Sequence, residues 1–203
     1  ERIAEDPQAS VEREVFALDV EGTPYRLNSD GFAAQELSAD LKKALFMEAL
    51  SDREVLFVLS VTDQDDGVGF SERVAVFDVV SNSVIWNSAV PQRENSQEGN
   101  SQESSEETEI ENRHVTAVAT DLKTGRFAIG FSDGMYVHYA PRQQAESEER
   151  SYLCLPIYDS SGAVLEELHE QEVTALAFIY DNKHKLGLFS AGADLMCYQI
   201  MVA

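Results

Sequence analysis

The residues whose types could do chemistry are few, and their spacing is wrong for most of it. Histidines stand at 114, 138, 169 and 184, with no i,i+2 or i,i+4 pair to set two imidazoles on one strand or helix face around a metal. His114 and Asp133 could in principle form a histidine–carboxylate relay, but such a relay needs a nucleophile in an exposed elbow, and none is presented in that context. Cys154 and Cys197 make neither a disulfide framework nor a C-x-x-C metal half-site; they are expected as buried thiols in strands of a protein kept in a reducing compartment. Asp63, Asp65 and Asp66, followed by Gly67, look like the start of a calcium loop. The bidentate acid that closes such a loop is missing, because Val74 stands in its place, so a solvated turn is expected. The glycines at 67, 69, 130, 134, 187 and 192 never form a phosphate-cradling loop. The sequence therefore predicts no catalytic residue, no cofactor-binding residue and no metal ligand.

The elements that carry these residues repeat. Val115-Thr-Ala-Val-Ala-Thr leads into Arg126-Phe-Ala-Ile-Gly-Phe-Ser-Asp-Gly and then Met135-Tyr-Val-His-Tyr. Val173-Thr-Ala-Leu-Ala-Phe leads into Leu186-Gly-Leu-Phe-Ser-Ala-Gly-Ala-Asp and then Leu195-Met-Cys-Tyr-Gln-Ile. Strand, polar turn, strand, Ser/Gly/Asp turn and alternating strand, in that order, form the a–b–c part of a WD-repeat-like propeller blade. His114 and His169 lie just before the a strands, where blades of this kind often keep a histidine bonded across the sheet, so a structural role is expected for them. Upstream, Val15-Phe-Ala-Leu-Asp-Val and Thr23-Pro-Tyr-Arg-Leu, split by Glu21-Gly22, predict a hairpin. Around Leu37–Leu45 helix propensity competes with a propeller register that makes Ala44–Leu50 an a strand, and the strand is preferred. Val55-Leu-Phe-Val-Leu-Ser-Val has the continuous apolar run of a strand buried on both faces. Arg73–Val80 and Ser83-Val-Ile-Trp predict a c–d hairpin turning at Ser81-Asn82, with Phe77-Asp78 as a degenerate Trp-Asp signature. Tyr152–Tyr158, carrying Pro156, suits an edge or bulged strand, and Ala163–Leu168 is expected as a d strand.

This totals roughly thirteen strands. The expected fold is all-β: a partial propeller over 13–203, with unmatched end blades belonging to a larger ring of about seven. A disordered segment is expected over 1–12, and a disordered acidic insertion over 91–112, where seven Glu stand against one Arg with no aromatic residue. A second polar insertion, Gln143–Arg150, interrupts the next blade. Within the acidic insertion Ser104 and Thr108 each precede a Glu by three positions, a pattern acid-directed kinases can use. Added phosphate would keep the insertion extended.

Charge excludes further classes. The 203 residues carry 15 basic and 37 acidic side chains, a net −22, and no basic cluster that could neutralise a phosphate backbone, so nucleic-acid binding is not expected. The same charge disfavours direct adhesion to an anionic bilayer. No apolar run reaches the roughly 20 residues of a membrane span, and no signal-peptide pattern opens the chain. The start at Glu1 and the abrupt strand at Ala203 lead us to expect a piece of a longer protein.

RFAIGFSDGMYV at 126–137, followed by VTALAFIYDNKHKLGLFSAGADLMCYQI at 173–200, resembles the last blades of the N-terminal propeller of the vacuolar protein sorting subunit eleven family. VFALDVEGTPYRL and LFVLSVTDQDDGVGFSERVAVFDV resemble its earlier strand pairs, so the likeness runs through most of 13–203 at low identity. Its most specific piece is the AIGF-SDG block. The chain departs from the family at Phe77-Asp78 and in the acidic insertion, and these 203 residues hold neither the family's helical solenoid nor its zinc-binding RING finger, so ubiquitin-ligase chemistry does not carry over. The resemblance implies a non-enzymatic scaffold of the class C tethering complexes HOPS and CORVET, in endosome-to-vacuole or lysosome trafficking. Its partners would be other class C tethering subunits, and it would be cytoplasmic and peripheral on late endosome, vacuole or lysosome membranes through the complex. The alternative is a generic WD-repeat adaptor of a ubiquitin ligase or vesicle coat.

Overall fold

Strand follows strand through the computed structural model, which describes residues 15–27, 34–62, 70–91, 113–142, 151–155, 168–181 and 183–201. The first sheet holds β1 (Val15–Leu18), β2 (Pro24–Leu27) and β3 (Ala34–Glu36); the second holds β4 (Ala44–Ala49), β5 (Glu54–Thr62), β6 (Phe70–Asp78) and β7 (Ser83–Ala89). The third holds β8 (Val115–Asp121), β9 (Arg126–Phe131), β10 (Tyr136–Pro141) and β11 (Tyr152–Leu155); the fourth holds β12 (Val173–Tyr180), β13 (Leu186–Gly192) and β14 (Cys197–Met201). All pairings are antiparallel between neighbours in sequence. The first strands of the second, third and fourth sheets lie together, β8 against both β4 and β12. Meander sheets arrayed by their first strands are the blades of a β-propeller, and the chain is an all-β partial propeller.

Side-chain alternation explains why the blades stack. In β5, Leu56 and Val58 enter a core shared with Val115, Phe127, Ile129 and Phe131 of the third sheet. Their neighbours Val55, Phe57 and Leu59 face the other way, into a core with Phe16 and Leu18 of the first sheet. A strand buried on both faces must read as a continuous apolar run, as this one does. In β9 Phe127 and Ile129 point to the second sheet, while Ala128 meets Leu188, Leu176 and Phe178 of the fourth. A one-residue slip would reverse every one of these assignments.

Each complete a–b pair also carries one irregularity the sequence did not announce. The register shifts between Ala44 and Phe46, between Val115 and Ala117, and between Val173 and Ala175, always after the first residue of the a strand. Beside it one bond recurs, Ser60 N–H to Lys43 O, Ser132 N–H to His114 O and Ala193 N–H to Glu172 O. The bulged residue Thr116 turns its hydroxyl across the seam to Val173 O at 2.6 Å.

Several expectations change in detail. Fourteen strands occur among the described residues, the additional one being β3 in a first sheet expected as a hairpin. The 31–50 ambiguity resolves as a one-turn 3-10 helix, Ala39–Leu41 capped by Ser38, followed by β4. The fourth strand of the third sheet is β11, on the open edge beside β10, and not Ala163–Leu168; of that stretch only Leu168 is described, and it lies outside any strand. Cys154 and Cys197 are in strands as expected but exposed, because β11 and β14 are edge strands. Residues 1–12, Asp63, Asp65, Asp66, Gly67, Ser104, Thr108, Gln143–Arg150 and all but Pro91 of 91–112 lie outside the described residues.

Candidate functional site

His169 sits where the fourth sheet begins and is 2% exposed. Its Nδ1 lies 3.1 and 3.2 Å from the two carboxylate oxygens of Asp194, in the β13–β14 turn, and its Nε2 lies 2.9 Å from Ser190 Oγ in β13. Ser, His and Asp stand in the order of a hydrolytic relay. Ser190, however, is 2% exposed and lies mid-strand, paired with Leu176 on one side and Tyr198 on the other, so no substrate atom can reach its hydroxyl. Burial works against the charge on Asp194, yet N–H bonds from Met196 and Glu170 and the contact with His169 hold its carboxyl below the usual range. The arrangement is a brace that ties turn, strand and incoming chain together, the structural role expected for His169.

In the third sheet Arg113 does this work instead of His114. Its Nε lies 3.3 Å from Asp133 Oδ2, its guanidinium carbon stands 3.6 Å over the Phe131 ring, and Nη1 donates to Pro91 O at 3.0 Å. Asp133 is therefore engaged by Arg113, while the exposed His114 uses its backbone N–H on Ser132 Oγ. Arg113 also closes the base of the acidic insertion, bringing the chain at 113 back against 91. Beside it, Glu72 accepts the Val115 N–H at 2.7 Å across the seam; burial pushes its carboxyl up, against the pull of that bond and of His114.

Phe77-Asp78 fills the role of the degenerate signature. Phe77 is fully buried against Phe57 at 6.3 Å, edge to face. Asp78 accepts from Val80 and Ser81 N–H and pairs with Arg53 Nη2 at 2.8 Å, and the Arg53 bonds hold its carboxyl below the usual range. Val74, where a calcium loop would need its acid, is fully buried in β6. Among the described residues, no three His, Cys, Asp or Glu are placed to hold a metal, and no helix is long and apolar enough to cross a membrane.

His138 is the histidine the sequence placed on a strand without explaining. It lies in β10, 4% exposed, 5.9 Å from the Phe178 ring of β12 in the seam between third and fourth sheets, and its Nε2 has no hydrogen-bond partner. Burial first, and the charge of Arg126 second, push its pKa down to about 4. Two positions along β10, the buried Tyr136 hydroxyl is likewise unpartnered. His184, the remaining histidine, is in the β12–β13 turn at φ 60°.

Fold and side chains together define a partial β-propeller, with His169, Ser190 and Asp194 tying turn and strand inside the fourth sheet and Glu72, Thr116 and Tyr180 bonding from one sheet to the next. No protein-family model matches the chain, and no curated protein matches it in sequence. Among solved structures it is similar to Sqt1 of Saccharomyces cerevisiae, at 9% identity and a TM-score of 0.27 over 94% of this chain and 81% of that one. The fold class rests on the sheets described above.

Proposed function

We propose that the chain is a non-enzymatic protein-interaction scaffold: propeller blades of a class C tethering complex of the HOPS and CORVET type, serving endosome-to-vacuole or lysosome trafficking. The observation that carries the scaffold part is the Ser190–His169–Asp194 brace, where side chains competent for chemistry are sealed in a sheet and do mechanical work. The turns left outside, on a stiff sheet frame, are where such folds meet partners. The tethering part is supported by the AIGF-SDG block of β9 and its turn, which forms the b strand and b–c turn that the family resemblance requires. In this reading the protein is cytoplasmic and reaches late endosome, vacuole or lysosome membranes through its partners. Affinity capture with the intact protein should recover other class C tethering subunits from an endosome-associated fraction. Recovery of cullin-type ligase subunits without them would replace the tether by the adaptor.

A further inference from the structure

Resting on the reading of the chain as a protein-binding scaffold, we propose that the a–b turns of the third and fourth sheets form one docking platform for an acidic partner segment bearing an apolar residue. Of only 15 basic residues in the chain, Lys123, Lys183 and Lys185 fall in these two turns, and Arg126 opens the strand that follows the first. The turns touch. Tyr180 at the end of β12 donates its hydroxyl to Asp121 Oδ2 at 2.7 Å, and Lys123 Nζ lies 4.8 Å over the Tyr180 ring.

The acids of the same turns are taken up by bonds within and between them. Asp121 accepts from Thr124 Oγ1, Tyr180 Oη and the Lys123 N–H, and Asp181 accepts from Lys183 and Lys185 N–H at 2.7 and 2.8 Å. Exposed on these turns are Lys123, Lys183 and Lys185, together with Leu122, itself 61% exposed. Left-handed Gly125 (φ 67°) and His184 (φ 60°), with the bonds to both aspartates, fix the turns before any partner arrives, which lowers the ordering cost of binding. The opposite ends of these sheets carry Asp133, Glu170, Glu172 and Asp194.

Patch size selects the partner. A positive tip two turns wide on a molecule of net −22 attracts a short acidic segment, whereas a long phosphate polymer or an anionic bilayer would meet the repelling remainder as well. An apolar side chain in the segment would cover Leu122.

The test is fluorescence anisotropy of the whole 203-residue chain with a short labelled peptide that flanks a central Leu pair with Glu, set beside its Glu-to-Gln twin. The expected result is binding of the Glu peptide that weakens with salt, preference over the Gln twin, and a loss of roughly tenfold or more in K123E/K183E/K185E. These positions being exposed, circular dichroism of the variant should match wild type. Equal binding by the variant, or no preference for Glu over Gln, overturns the proposal. So does tighter, variant-sensitive binding of an oligonucleotide or of phosphatidylserine vesicles. Capture of tethering subunits that survives the triple substitution would remove this platform and leave the tether standing; peptide binding with no capture would do the reverse.

Discussion

Acid should weaken the seam between the third and fourth sheets through one side chain, His138. Its ring is 4% exposed, its Nε2 unpartnered, and its pKa pushed down to about 4 from the reference 6.5. A histidine whose folded pKa is depressed contributes stability that is fully present above the unfolded value and is lost as pH falls from 6.5 toward 4, because the unfolded chain takes up the proton first. At about 1.4 kcal/mol per unit the full loss is ~3 kcal/mol, and at pH 5, where most unfolded but few folded molecules are protonated, it is ~2 kcal/mol. The acid-rich chain has many carboxylates that titrate in the same range, so wild type must be read against H138L, which keeps an apolar side chain in the seam and removes the titrating group. Urea unfolding of both at pH 7.5 and pH 5 isolates the term. The variant should equal or slightly exceed wild type at pH 7.5, where it no longer buries an unpaired nitrogen, and lead it by ~2 kcal/mol at pH 5. Parallel losses of stability in the two proteins would refute the reasoning.

Phe127→Ala removes a fully buried ring stacked on Tyr139 at 4.6 Å and packed against Tyr152 at 5.3 Å and Trp86 at 6.1 Å, so a loss of about 4 kcal/mol is expected in equilibrium unfolding; a loss under ~1 kcal/mol would show the cluster is not holding the seam. Gly134→Ala places a Cβ 2.0 Å from His169 O at φ 82°, and should cost more than the ~1–2 kcal/mol of left-handed backbone alone, whereas Gly125→Ala, at φ 67° with nothing within 4 Å, should cost only that. Replacing 92–112 by a short Gly/Ser linker should leave the melting temperature nearly unchanged, since Arg113 and Pro91 already close its base; a fall of many degrees in calorimetry would contradict this.

What the sequence made legible was whatever alternation and turn chemistry write locally. The run at Val55–Val61 announced burial on both faces, and Ser81-Asn82 announced the turn between β6 and β7. The recurrent bulge after the first a-strand residue was not legible, because a register shift changes pairing without changing composition. Nor was the exposure of Cys154 and Cys197, which depends on which strands end the sheets, a property of the array and not of the residues beside them. The partners of His169 were hidden for a related reason. Ser190 and Asp194 follow it by 21 and 25 positions, and only the β13 pairing shows that strand and turn return to the same point. Arg113 could have been suspected as the buried basic residue ending an acidic insertion, but its ring and carbonyl contacts needed coordinates.

The two three-stranded sheets are not two parts of one blade. In the third sheet the turn joining b to c, at Gly134, accepts the N–H of His169 as the chain enters the next sheet. In the first sheet the bond to the chain entering the next sheet, Ala44 N–H to Gly22 O at 2.9 Å, is made by the turn between β1 and β2. That makes β1, β2 and β3 the b, c and d strands, whereas β12, β13 and β14 are a, b and c. Joined edge to edge they would give six strands where the second and third sheets have four. Among the described residues no strand lies beside the outer edges of β1 and β14, and an unpaired edge of this kind is a template for another strand.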